Sequence, residues 1–264
     1  MSFAAESYEN YMVPSLFAPW ASYLVQSANP QPGERVLDVA CGTGIVARRI
    51  APHVGSQGGV IGLDLNPDML SVGRAAAERE GLAIGWRVGP AEQLQFPDGS
   101  FDLVVCQFGL MFFADRHTAL TEMHRILRTG GRVVVSVWQG LDRHPFYLTL
   151  HEVSKQHLGK SSVQAVFSLG DSDELSRLLA EAGFQQVEIE PASLTARFAN
   201  PEAFLAWEID VDPAETPALQ HLDVPAQQVI LAAVRQDMQA AMHAVMQDGQ
   251  VVLASYAHVA HARR

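Results

Sequence analysis

The stretch "VLDVACGTGIVARR", residues 36–49, decides how the rest of the chain reads. An apolar run carries a single carboxylate, Asp38, breaks into a glycine-rich turn at Gly42 and Gly44, and restarts as a basic, helix-like segment. The pattern repeats downstream. Strand-length apolar runs at 35–41, 59–65, 84–89, 101–109 and 132–138 alternate with helix-length segments at 44–54, 66–81 and 115–131. Asn66 is placed to cap the second of these helices, with Pro67 at its first position and Gly81 at its stop. The strands are continuously apolar, which predicts a parallel sheet covered on both faces. The expected fold class is α/β: a doubly wound, mostly parallel, seven-stranded Rossmann-like sheet with helices on both faces and a helical cap.

The second half departs from this alternation. A helix over 174–184 leads into a strand over 185–198, a Pro-rich stretch over 210–225, a helix over 226–246 and a last strand, "QVVLASYAHVAHAR", over 250–263. The expected organisation is an N-terminal lid helix (1–28), a core (29–138), a cap segment (139–170), more core (171–198), a cap insertion (199–248) and a last core strand (249–264).

Composition bounds the function. The chain has 264 residues, 48% hydrophobic, which is enough for one large packed domain. Its formal net charge of −11 and the absence of a basic face argue against a nucleic-acid partner. Cys41 and Cys106 sit in apolar runs without ligand spacing, so both are expected as reduced, buried thiols. No signal-peptide pattern and no membrane-length apolar run is present, which predicts a cytoplasmic protein, monomer or homodimer, with no membrane partner.

Glycine turns between strand and helix hold ligands in doubly wound sheets, and Asp64, at the end of the next strand, is placed to bind ribose hydroxyls. "GTGIVA" fits the G-x-G-x-x-A pattern of dinucleotide sites, so an NAD-dependent oxidoreductase is one reading. Asp38 opposes it, because a carboxylate before the turn repels pyrophosphate. It suits a ligand with a cationic amino-acid end, a ribose and no phosphate, which describes S-adenosylmethionine. The alternative for Asp38 is a cap on helix 44–54 or a partner for a buried Arg.

"VLDVACGTG", "GLDLNPDML", "GPAEQLQFPDGSFDLVVCQFGLMFF" and "RILRTGGRVVVSVW", in that order, resemble the successive motifs of class I S-adenosylmethionine-dependent methyltransferases. The nearest resemblance is to the small-molecule group related to the quinone-biosynthesis methyltransferases. It implies methyl transfer to an O, C or N atom of a small, partly apolar acceptor. Residue by residue, it implies that Asp38, Ala40, Gly42 and Gly44 line the methionine end. Asp64 would bind the ribose, with Leu65 and Met69 beside the adenosine and Ala91 and Glu92 at the adenine. Gln107, Phe108 and Gly109 would lie near the sulfonium, and Tyr8 and Tyr11 would close over the cofactor. Pro90 departs from the family pattern, which commonly has an acid there for the adenine amino group. A S-adenosylmethionine-binding pericyclase or regulatory protein would share the same glycine loop.

Other residues carry less. "FGLMFF" (108–113) reads as a substrate wall or as core beneath the cap. Trp20, Trp138 and Trp207, and Met238, Met242 and Met246 at four-residue spacing, read as packing. His144 follows the fifth strand on the ligand side and is the expected general base should the acceptor need to lose a proton. Tyr147 and His151 share a helical face just beyond it. No His, Cys or acid spacing suggests a metal.

Overall fold

The computed structural model describes residues 3–159, 161, 163–211, 219 and 222–264. The remaining positions of the expected lid and cap segments, including most of the Pro-rich stretch, lie outside the described residues. Among the described residues, eight strands form one sheet: β1 (Arg35–Val39), β2 (Gly59–Asp64), β3 (Gly85–Val88), β4 (Phe101–Gln107), β5 (Leu127–Trp138), β6 (Gln185–Phe198), β7 (Met246–Gln247) and β8 (Gln250–Arg263). Seven of them run in the order β3-β2-β1-β4-β5-β8-β6, and β7 pairs with β8 alone. The pairs from β3 through β5 are parallel, whereas β8 runs antiparallel to both β5 and β6. The order reverses between β1 and β4, which opens the crevice where such sheets bind ligands.

The helices are α1 (Phe3–Ser7), α2 (Ala18–Ala28), α3 (Ile45–Val54), α4 (Pro67–Arg79), α5 (Arg116–Ile126), α6 (Pro145–Leu158), α7 (Val163–Val166), α8 (Ser172–Glu181), α9 (Pro201–Ala206), α10 (Val224–Asp237) and α11 (Gln239–Ala244). Asn66 caps α4 as expected, its side chain accepting from the Asp68 amide at 2.9 Å. Val36, Leu37, Val39, Leu103, Val104 and Val105 are fully buried, which matches a central sheet covered on both faces.

Three expectations change. The helix expected over 115–131 stops at Ile126, because Leu127 turns to extended backbone and pairs with Phe101. β5 therefore starts before the glycine pair, which sits inside it. The helix expected over 226–246 divides at Met238 into α10 and α11, and the chain then enters a hairpin. Asp248 and Gly249, both with positive φ, form that hairpin's turn between β7 and β8. The N-terminal helix is interrupted over Tyr8–Phe17 by a wide π-helical segment that contains Pro14. Arg48 of α3, only 6% exposed, holds this segment by donating to Glu9 at 2.6 Å, and it also pairs with Glu80.

The glycine turn rests on Trp86 of β3. A Cβ at Gly44 would come within 2.4 Å of the indole ring. One at Gly73 of α4 would meet the Thr43 carbonyl oxygen at 2.7 Å and the same ring at 3.1 Å. We expect Gly73→Ala to lower stability by about 1–3 kcal/mol in spite of alanine's higher helix propensity. Urea denaturation monitored by circular dichroism checks this. A variant as stable as the parent would show that α4 shifts freely against the glycine turn.

Candidate functional site

Where the strand order reverses, a cavity of about 1030 Å³ opens. One half is built by the ends of β1 and β2 and the loops that follow them. Ala40 and Gly42, then Asp64, Leu65 and Met69, line it together with Ala91 and Glu92. Gln107, Phe108 and Gly109, at the end of β4, lie between this half and an aromatic half formed by Trp138, Tyr147, Phe167, Phe198 and Trp207. Phe112 and Phe113 both line the cavity, and Phe112 is 61% exposed.

Ala40 and Phe108 directly follow β1 and β4, the two strands that flank the reversal, and both adopt left-handed backbone, with φ of 54° and 53°. For a non-glycine residue this costs about 1–2 kcal/mol. Such strain concentrates at functional sites, where surrounding packing sustains it. At Phe108 the packing is explicit: its ring stacks on Trp138 at 3.6 Å with planes 7° apart and meets Trp20 edge-on at 5.6 Å. The motifs identified these positions without revealing their backbone conformation.

Three carboxylates are fixed by backbone donors. Asp64 accepts from the Gly42 amide at 2.7 Å and the Asn66 amide at 2.8 Å, tying the glycine turn to the end of β2. Burial pushes its pKa upward. Asp38 is fully enclosed and accepts from the Ala47 amide at 3.0 Å in the first turn of α3. Burial, with the nearby Asp64 charge, raises its pKa to about 8. Its second oxygen has no hydrogen-bond partner. Glu92 accepts from the Ala114 and Asp115 amides at 3.1 and 3.4 Å, joining the loops after β3 and β4.

Not every expected residue reaches the cavity. Asp38, Gly44 and Tyr11 are not part of its lining. Asp38 lies beneath the turn, Gly44 gives its space to Trp86, and the Tyr11 hydroxyl donates to the Asn200 carbonyl. Tyr8 does reach it. A Cβ at Gly42 would lie 3.8 Å from the Tyr8 ring, so this tyrosine covers the glycine turn. Burial and the charges of Asp64, Glu9 and Asp38 all raise its hydroxyl pKa.

The geometry argues against the base role expected for His144. Its ring lines the cavity, but its Nε2 accepts from the Tyr256 amide at 3.2 Å. The proton of the neutral ring therefore sits on Nδ1, which faces the Gly140 carbonyl at 3.2 Å. Both nitrogens are engaged by backbone, and burial lowers the pKa. His151 is not part of the lining. Two lining residues that the sequence reading did not single out are Glu208 and Ser255. The Tyr147 hydroxyl donates to Glu208 at 3.1 Å. Ser255 donates to the Leu194 carbonyl and accepts from the Trp20 indole, both at 3.0 Å.

Two outcomes follow from these observations. Replacing Ala40 by glycine relieves the left-handed strain and is expected to leave stability unchanged or raise it by up to about 1 kcal/mol. A clear loss in thermal denaturation would contradict the strain. His144 has a folded pKa below its ordinary 6.5, so the unfolded chain binds more protons near and below that pH. Its contribution is fully present above pH 6.5 and is lost as pH falls towards the folded pKa. The drop in stability between pH 7 and 5.5 should therefore be shallower in His144→Asn than in the parent.

The comparisons with known proteins agree with this geometry. The ubiE/COQ5 methyltransferase family model matches residues 8–198. A ubiquinone/menaquinone biosynthesis C-methyltransferase of Stenotrophomonas maltophilia is 35% identical over 183 residues, which cover 63% of this chain and 72% of that protein. A demethylmenaquinone methyltransferase of Geobacillus kaustophilus is 36% identical over 186 residues, covering 65% and 80%. The YcgJ protein of Bacillus subtilis superposes with a TM-score of 0.60 over 92% of this chain and 97% of its own, at 18% identity, and so shares the fold. With a family match that spans most of its length, the chain belongs to the ubiE/COQ5 methyltransferase family and is a S-adenosylmethionine-dependent methyltransferase.

Proposed function

We propose that the acceptor is a flat, apolar, hydroxylated ring of the quinol class, methylated on a ring carbon beside a hydroxyl. The observation that carries this is the two-part cavity: one half ends in the glycine turn and Asp64, and the other is walled by stacked aromatic side chains. Ligand sites run to roughly 300–1,000 Å³, so a volume of about 1030 Å³ has room for a cofactor and a ring together. The names of the relatives support the acceptor class.

The residues fit the cofactor. Gln107 Oε1 and one oxygen of Asp38 are buried without a hydrogen-bond partner, and buried acceptors of that kind call for a donor. Under this reading Asp64 holds the ribose, Leu65 and Met69 pack on the adenosine, and Ala91 and Glu92 border the adenine. Ala40, Gly42 and Gly44 shape the methionine end, above Asp38. Gln107, Phe108 and Gly109 face the reacting centre. Tyr8 closes over the glycine turn, and Tyr11 anchors that closing segment to Asn200. When bound, S-adenosylmethionine supplies an electrophilic methyl group on a sulfonium. The protein aligns the acceptor carbon with that methyl and keeps water out. We assign the exclusion of water to the described residues of 1–28, 139–170 and 199–248, with residues 29–138, 171–198 and 249–264 as the core beneath them.

The acceptor proposal is tested by incubating the protein with S-adenosylmethionine and 1,4-dihydroxynaphthalene kept reduced under nitrogen. A product one methylene heavier, with the methyl on carbon by NMR, is expected. Methylation on oxygen alone would overturn the carbon assignment.

The cofactor assignment has its own test. Meeting an ammonium group requires Asp38 ionised, and its raised pKa means that binding below about pH 8 expels a proton. Affinity for S-adenosylhomocysteine should rise by up to about tenfold per pH unit between pH 6 and 8. Asp38→Asn keeps an acceptor for the Ala47 amide and should flatten that slope. An unchanged slope would leave Asp38 as a helix cap only.

A further inference from the structure

We propose that Arg48 is a positioning residue that controls passage of the cofactor: its ion pair with Glu9 holds Tyr8 over the glycine turn and opens each time the cofactor enters or leaves. The inference rests on the cofactor placement proposed above and adds the contact that sets how fast the cofactor is exchanged.

The segment over the turn is anchored at several points. Its far end is tied to the sheet by Gln107, whose Nε2 donates to the Phe17 carbonyl at 3.3 Å. Its middle is tied by the Tyr11 hydroxyl, which donates to the Asn200 carbonyl. The near end brings Ala4 and Tyr8 into the cavity lining, packs on α4, and has Glu9 as its ionic anchor. Glu9 is next to Tyr8 in the chain, and the Tyr8 ring covers Gly42. Arg48 stands one helical turn beyond Gly44, and its amide donates to the Gly44 carbonyl at 2.8 Å. The guanidinium therefore couples the covering tyrosine to the turn that it covers.

The pair is arranged so that it can open. The side chains of Arg48 and Glu9 are 6% and 11% exposed, whereas Glu80, the second partner of Arg48, is 45% exposed. Breaking a buried ion pair is costly chiefly because it leaves a buried charge without a partner. Here neither charge is stranded. Arg48 keeps Glu80, and Glu9 moves out to water with the segment that carries it. The pair is also unsaturated: Arg48 Nε and the second Glu9 oxygen are buried without a hydrogen-bond partner among the described residues. An ion pair with two orphaned polar atoms adds little net stability. Holding the segment in one place, rather than strengthening the fold, is the role that this geometry supports.

The kinetic consequence is specific. One closure bars the way in and the way out, so loosening it speeds association and release by the same factor and leaves the affinity nearly unchanged. Release of S-adenosylhomocysteine completes each cycle, and steps of this kind set many turnover rates.

The test uses the full chain and S-adenosylhomocysteine. Release is followed by chasing the labelled compound, affinity is measured by calorimetry, and the association rate follows from the two. Glu9→Gln keeps the shape of the side chain and removes its charge, and Arg48→Met removes the guanidinium. Each should raise both rates by about tenfold, the worth of a hydrogen bond between charged groups, with affinity within a few-fold of the parent. The double variant should be no faster than either single one, because the same contact is lost only once. Should Arg48→Met fail to fold, Glu9→Gln carries the test, since it leaves Arg48 with Glu80. Release within a few-fold of the parent in Glu9→Gln overturns the proposal. Faster release matched by an equal loss of affinity also overturns it, as does a double variant whose effect is the product of the two single ones. Asp64→Ala separates the two readings. If it binds S-adenosylhomocysteine as tightly as the parent, the cofactor placement falls and takes the Arg48 assignment with it. If it binds more weakly while Glu9→Gln leaves the rates unchanged, the Arg48 assignment alone falls.

Discussion

The site depends on how tightly Trp86 fills the space under the glycine turn. The indole projects from β3 against Gly44 in the turn and Gly73 in α4, so a side chain at either would displace the ring or the backbone. Interiors are close-packed and give way poorly to added atoms. The turn is therefore fixed from below by the packing of an edge strand. From the side it is fixed by the Gly42–Asp64 hydrogen bond. Two contacts of different kinds hold one loop, and the ends of β1 and β2 meet the cavity in a set register.

Above this fixed base, the protein sustains strain. Ala40 and Phe108 are both left-handed at the strand ends that flank the sheet's reversal. Buried neighbours fix each of them, most clearly the Phe108–Trp138 stack with Trp20 at its edge. A backbone that would otherwise relax is kept in one conformation. Reacting groups aligned on such a floor do not need to be realigned for each turnover, which is where positioning contributes to rate.

The sheet and the glycine turn were legible in the sequence because their signals are local. Continuous apolar strands, the Asn66 cap and the Gly42 and Gly44 turn each state their role within a few residues. The boundaries that moved were decided elsewhere. Helix α5 stops at Ile126 because Leu127 pairs with Phe101, a contact that no local propensity encodes. The Asp248–Gly249 turn was a readable hairpin signal, hidden by the helical pattern that runs up to it. His144 was read from its place after β5, but its ring nitrogens face the backbone at Gly140 and Tyr256, the latter more than a hundred residues away in the chain. Glu208 carried no motif. Only the folded chain brings it to Tyr147.

The electrostatics of the cofactor half can be understood from the same contacts. Asp38 is buried beside the half-buried Asp64, whose charge raises the energy of its own, and Tyr8 lies against them as a weak acid whose ionisation they further oppose. The backbone amides of Ala47, Gly42 and Asn66 offset part of that cost and leave the rest uncompensated. Under the cofactor reading proposed above, a site of this kind favours a ligand that brings a positive charge to the glycine turn. It also couples binding to protonation, because Asp38 prefers to hold its proton until a cation replaces it. Asp38 lies beneath the turn and does not line the cavity, so under the cofactor reading proposed above it acts through its charge.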